Sequence, residues 1–322
     1  MIKVSIIVPI YNAGHRLREC LETLVNQTLR EIEIICVLDC PTDGSDKVAE
    51  EFAAKDSRIK LIYNETNLHV AESRNVGMGL AQGEYIGFSD HDDSRSLEMY
   101  EKLYESAKEN NLEIVVSDSY IADDNKIIKY SYGDPSKSGI IKSIILPMDH
   151  PNNKNYLSKS VWATIYSREF ILKNQILFPD RSIYYEEDTL FNLNAFLIAK
   201  SISYCSNALY CWNKINESQS NTLITHEENV NRQIFFIDQI EKYLIKYDSM
   251  RSYRSELVIL ISVLIKTYLP YYNCLPKVKK RLLCNLLNNC RYPIFKRYFG
   301  LKLISKKRIK LYYFVLKLKL LQ

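Results

Sequence analysis

Four short, β-branched apolar runs constrain this chain more than any other feature. Each ends in a polar cluster and is followed by a stretch with helical character. The runs are residues 3–9 (KVSIIVP), 32–38 (IEIICVL), 59–63 and 84–89, the last leading into FSDHDDS. Near-continuous apolar runs of this length are what strands covered on both faces require. Between the first two, Leu17, Cys20, Leu21, Leu24 and Val25 recur at helical spacing, with Asn12 as the expected N-cap. Ser45 to Ala54 is the next expected helix, with Val48 and Phe52 inward. Residues 70–81 follow as a helix in spite of two glycines, then a helix over 96–110 and a strand over 112–117. Such alternation predicts an α/β fold doubly wound around a mainly parallel sheet.

Sheets of this kind bind ligands in the crevice beyond the carboxyl ends of their strands. Asn12 follows the first run, Asp39 the second, Asn67 the third, and the aspartates Asp90, Asp92 and Asp93 the fourth. Their spacing directs all of them toward one crevice. There is no GxGxxG and no GxxxxGK[ST], which argues against a dinucleotide enzyme of the Rossmann type and a P-loop NTPase. Residues 123–160 are polar and carry Asp134-Pro135, Pro147, Pro151 and Asn152-Asn153, so they are expected to form a long loop over the crevice. A strand is expected at 161–166, a helix from about Tyr185 through Phe196, and helices at 226–247 and 253–268.

The net charge of +5 conceals an asymmetry. All 38 acidic residues lie in the first 256 positions, and the remainder carries 15 of the 43 basic ones. An acidic body with a basic tail predicts two surfaces with different partners. No run reaches the roughly 20 apolar residues of a membrane span. The opening apolar run is too short for a signal peptide, so a cytoplasmic location is expected. The eight cysteines contain no CxxC pair and several sit on apolar faces, which predicts free thiols.

Like charges as close as Asp90, Asp92 and Asp93 repel, so a cation or free water must accompany them. Hard divalent cations take carboxylate oxygens, and Mg²⁺ is held by one or two carboxylates plus substrate phosphates. Alternate side chains at a strand end leave on the same side. Taken alone, Asp-x-Asp is equally a solvated turn, and Glu186-Glu187-Asp188 equally the acidic first turn of a helix.

The two clusters do not stand alone. VSIIVPIYNA, Asp39 within VLDCPTDGS, Arg74-Asn75, GEYIGFSDHDD and YYEEDTLFN occur in one order over roughly residues 3–220. This set resembles a family 2 glycosyltransferase with the GT-A fold. The resemblance implies that Pro9, Tyr11, Asn12 and Asp39 hold the nucleoside and that Arg74 lines the nucleotide site. Asp90 and Asp92 match the motif that binds ribose and the metal–diphosphate, with Mn²⁺ or Mg²⁺ as the cofactor. Asp93 matches a neighbour facing the donor sugar. Glu187 and Asp188 match the pair that supplies the catalytic base, with Asp188 preferred.

The chain departs from the pattern at Cys40-Pro41, where Gly-Ser is usual, and at His69, where glycine is usual. It departs again at Glu72, where a small residue is usual, at His91 inside the acidic motif, and at Asn213, where an arginine is frequent after the aromatics Tyr210 and Trp212. These leave the base and sugar open. His69 and His91 are assigned no catalytic role. Trp212 is equally a sugar platform or a core aromatic, and Ser218 equally an active-site or a loop serine.

The expected organisation is a catalytic domain at 1–220 and a helical, basic region at 221–322. Residues 276–319 interleave Lys and Arg with Leu, Ile, Tyr and Phe, which suits a membrane interface with anionic lipid. Nucleic acid is a lesser use of such charge and is not the expected partner. The expected reaction moves a sugar, with inversion, from a UDP-linked donor to a hydroxyl of a growing surface glycan on a lipid carrier. Two other classes remain open. One is a nucleotidyltransferase making the activated sugar, disfavoured because no glycine-rich phosphate loop follows the first strand. The other is a membrane-bound scaffold with a relic nucleotide site.

Overall fold

The computed structural model of the chain describes residues 1–123, 126–147, 159–179, 186–214 and 226–268. It divides into two compact units, 1–223 and 224–322. The first opens with strand β1 (Val4–Ile10), helix α1 (Arg16–Val25), β2 (Ile32–Leu38), α2 (Ser45–Lys55), β3 (Ile59–Tyr63), α3 (His69–Leu80) and β4 (Tyr85–Phe88). The four strands pair in parallel in the order β3-β2-β1-β4. Every residue of β1 and β2 is buried, as the continuous apolar runs predict.

Beyond β4 the sheet becomes mixed. The chain adds β5 (Ser94–Arg95), α4 (Met99–Glu109), β6 (Ile114–Asp123), β7 (Lys126–Tyr130), α5 (Lys137–Ile145), β8 (Thr164–Ser167), α6 (Arg168–Lys173), α7 (Glu187–Ile198) and β9 (Ile202–Lys214). β8 runs antiparallel to both β4 and β6, β9 runs parallel to β6, and β5 antiparallel to β9. The acidic stretch after β4 lies at the carboxyl end of the parallel half, and β9 with β5 continues the sheet on the far side of β6.

Two local expectations change, and one element is new. Asn12 does not cap α1: it adopts φ 46, the helix begins at Arg16, and the Asn12 amide oxygen accepts from the Thr42 N–H at 2.8 Å. The described part of 123–160 is not a loop. It holds the β6–β7 hairpin and α5, whose N-cap Ser136 accepts from the Gly139 N–H. The buried Ile140, Ile141, Ile144 and Ile145 of α5 follow helical spacing, which the flanking prolines obscure. Finally, β9 is an element that the sequence does not announce, because it mixes polar and apolar residues and a bulge interrupts its register with β6. Of the cysteines, Cys20, Cys36, Cys40, Cys205 and Cys211 are free thiols. The other three, Ser218 and the basic tail lie outside the described residues.

α3 lies against β1 through Gly77. A Cβ added there would sit 2.5 Å from Cγ2 of Ile7, which is fully buried. This contact sets the depth of the helix one turn after Arg74. Gly77→Ala is therefore expected to destabilise the fold by about 1–3 kcal/mol, the usual range for overpacking, as measured by urea unfolding.

The second unit contains α8 (His226–Lys246) and α9 (Met250–Tyr268). α8 buries Phe236, Ile237, Ile240 and Leu244, spaced along one face, while Ile245 stays exposed. Among the described residues, no helix is long and apolar enough to cross a membrane.

Candidate active site

The acidic stretch leaves β4 at Phe88 and turns across the carboxyl ends of the parallel strands. Two buried arginines from different elements hold it, one through carboxylates and one through backbone carbonyls. Arg74, on the buried face of α3, donates to Asp90 Oδ1 at 2.8 Å through one amino group and to Asp188 Oδ1 through the other. Asp188 lies in the first turn of α7, 114 residues away in sequence, so one guanidinium joins the acidic loop to the expected base pair. Arg95, on β5, donates to the Asp93 carbonyl at 2.9 Å and to the Cys20 carbonyl at 3.1 Å.

The three aspartates have different surroundings. Asp93 is buried. Its Oδ2 accepts from the Tyr210 hydroxyl at 2.7 Å and its Oδ1 from the Asn213 N–H at 2.8 Å, which ties the loop to β9. The Asn213 side-chain amide adds a bond to the Asp92 carbonyl at 3.0 Å. Asp90 pairs with Arg74 through one oxygen. Among the described residues, the Asp92 side chain makes no hydrogen bond or ion pair to another residue. Between them, His91 Nδ1 meets the Pro9 carbonyl at 3.0 Å and so fastens the loop to the end of β1.

Burial raises the pKa of Asp92, helped by the charge of Asp90 and opposed by His91. Burial raises Asp93 further, with Asp90 and Asp92 adding to it. Asp188 is pushed up to about 7. Burial is the largest cause, Arg74 pulls it down, and Glu187 and Asp90 push it up. For Arg74, burial alone would favour the neutral form, but Asp188, Asp90 and Glu187 hold its charge firmly.

The residues that the resemblance assigns to the nucleoside lie at the neighbouring strand ends. Asp39 is buried. Its N–H donates to the Ile10 carbonyl, and its Oδ1 accepts from the Leu68 N–H at 2.7 Å and the Asn64 amide at 2.8 Å. Tyr11 is half-buried and Asn12 is exposed. Both Cys40 (φ 56) and His69 (φ 63) adopt the left-handed region, which explains the usual preference for glycine there. Among the described residues no hydrogen bond links Asp39 or Asn12 to the acidic cluster. Glu187 is buried beside Asp188. The sequence gives no sign of the contacts of Arg95, and shows Tyr210 and Asn213 only as a neighbouring aromatic and a departure. Asn213 works through its backbone and amide, which carry no sequence signal.

The carboxylate donors of Asp90 and Asp92 suit a hard divalent cation. Among the described residues no three His, Cys, Asp or Glu side chains converge on one point. A two-carboxylate site completed by diphosphate oxygens does not require a third, and the unengaged Asp92 carboxylate leaves a ligand in place for it.

A mixed sheet with an acidic loop at its parallel ends, bridged by Arg74 to a carboxylate pair at the start of α7, defines a nucleotide-sugar transferase fold of the GT-A type. The same fold is seen in S. aureus TarS 1–349, solved in complex with UDP-GlcNAc. That structure superposes with a TM-score of 0.75 at 22% identity, over 97% of this chain and 87% of that one. Residues 5–169 match the family model described as Glycosyl transferase family 2, and the chain belongs to that family. EpsJ of Bacillus subtilis (strain 168), described as an uncharacterized glycosyltransferase, is 35% identical over 210 residues, 65% of this chain and 60% of its own length. Cholesterol galactosyltransferase of Borreliella burgdorferi is 31% identical over 236 residues, 71% of this chain and 65% of its own. The match thus spans less than two thirds of the length of these relatives.

Proposed function

We propose that the chain transfers a glycosyl group from a UDP-linked sugar to an acceptor hydroxyl, with inversion at the anomeric carbon. The observation that carries this reading is the Arg74 bridge, which sets a carboxylate of raised pKa opposite the acidic loop across one buried cation. In this reading Pro9, Tyr11, Asn12 and Asp39 border the nucleoside, Arg74 lines the nucleotide site, and Asp93 keeps the donor-side loop in place. Asp90 and Asp92 would hold a divalent cation, which when bound neutralises charge developing on the diphosphate. Asp188, with Glu187 beside it, takes the proton from the acceptor hydroxyl as its oxygen attacks the anomeric carbon. The bond from that carbon to the diphosphate oxygen breaks on the opposite face, and UDP leaves with the electron pair. One base suffices, because no covalent intermediate forms.

The UDP assignment is supported by the UDP-GlcNAc bound in the TarS neighbour. The acceptor is a surface glycan carried on a lipid at the inner face of the plasma membrane. The lipid acceptor of the galactosyltransferase relative and the basic tail of this chain, within a region at 221–322 distinct from the catalytic domain at 1–220, both support it.

The pH profile tests the base. Asp188 acts only when ionised, so kcat is expected to fall below about pH 7 along a limb with an apparent pKa near 7. A kcat that stays flat down to about pH 5.5 would remove Asp188 from that role. NMR of the first-formed product reads the stereochemistry, and retention of configuration would contradict a single-base mechanism.

A further inference from the structure

We propose that Asn75 and Phe178 are positioning residues for the transfer, holding the Arg74 guanidinium in register between the acidic loop and Asp188. This deepens the transferase reading and rests on it.

Arg74 needs such support. Among the described residues its buried Nε has no hydrogen-bond partner, so hydrogen bonding does not fix the stem side of the guanidinium. The Phe178 ring lies beneath it, 5.2 Å from Cζ to centroid, at cation–π distance. That ring is stacked flat on Phe191, with centroids 4.0 Å apart and planes 8° from parallel. Phe191 stands three residues after Asp188 on α7, within the same helical neighbourhood. Phe178 also meets Phe88 edge-on at 5.1 Å, and Phe88 is two residues before Asp90. One aromatic side chain therefore touches Arg74, the end of the acidic strand and the base helix.

Phe178 lies outside helix and strand, and Asn75 holds it. The Asn75 amide oxygen accepts from the Phe178 N–H at 2.9 Å, while its amide nitrogen donates to the Phe178 carbonyl at 3.0 Å. The pair of bonds acts as one rung of a sheet. Glu72, one turn earlier on α3, accepts a third bond from the same amide nitrogen at 3.0 Å, which fixes the amide orientation. This gives Glu72, one of the departures, a place in the arrangement. Adjacent residues on α3 thus act together. Arg74 grips the carboxylates, and Asn75 grips the ring on which Arg74 rests.

The test uses the full chain with a UDP-sugar that the wild type turns over. Asn75→Ala is expected to lower kcat by roughly a hundredfold, the scale of a small misplacement at a reacting centre. Because Arg74 also borders the nucleotide and pairs with Asp90, the donor KM and the UDP–Mn²⁺ affinity by calorimetry should weaken as well, but by less than about tenfold, well short of the kcat loss. Phe178→Leu keeps the backbone rung but removes the ring, and should show the same split. It also keeps the idea testable should Asn75→Ala fail to fold. A kcat within about twofold of wild type for both variants at temperatures below their melting would overturn the proposal. So would parallel losses of kcat and UDP affinity, the mark of a purely structural role. A wild type that neither binds UDP nor transfers from any UDP-sugar would instead overturn the transferase reading, and this inference with it.

Discussion

Replacing Asp188 with Asn is expected to lower kcat by about a thousandfold, within the range that a positioned general base contributes, while UDP binding stays intact. The amide keeps the size of the side chain and can still meet Arg74, but it cannot accept the hydroxyl proton. Burial and the nearby Glu187 and Asp90 give the carboxylate its raised pKa, and Arg74 keeps it from rising further. A base with a pKa near the working pH combines an adequate ionised fraction with real proton affinity. Steady-state kinetics together with calorimetry check the prediction. A variant that transfers at near wild-type rate would move the base elsewhere.

Arg74→Ala is expected to have the larger effect on the fold. Arg74 is buried but the carboxylates it leaves uncompensated are partly exposed, so the cost is expected at about 2–3 kcal/mol, below the roughly 3–5 kcal/mol of a fully buried pair. Here two carboxylates lose the same partner. The loss should depend on pH in a defined direction. Asp188 has a folded pKa of about 7 against an unfolded value of roughly 4. Between those values the folded chain holds a proton that the unfolded chain does not, so this group's contribution to stability falls as pH rises toward 7 and levels off above. Protonated Asp188 needs Arg74 less. The gap between wild type and variant should therefore be larger at about pH 8 than at about pH 5.5, read by chemical denaturation. A gap that is equal at both would mean that the pair contributes no more than packing.

The parallel half of the fold is legible in the sequence because β1 to β4 are near-continuous apolar runs that admit few other structures. The antiparallel half is not. β9 alternates unevenly around a bulge, and α5 sits between prolines that read as loop. In the site, the resemblance names Arg74, Asp90 and Asp188 but not their bridge, since contacts across 114 residues leave no trace in local spacing. Asn12 shows the opposite failure. Its residue type suits a helix cap, but the left-handed turn after β1 sends its amide to Thr42. Asp93 looks like its two neighbours in sequence, yet its carboxylate is turned to β9.

Calorimetric titration of the purified chain with UDP, GDP and CDP, with and without Mn²⁺, tests the nucleotide-sugar site most directly. UDP is expected to bind, more tightly with the cation, and Asp92→Asn should abolish the metal-dependent increment. Absence of binding by all three nucleotides, with the cation present, would contradict the site as described.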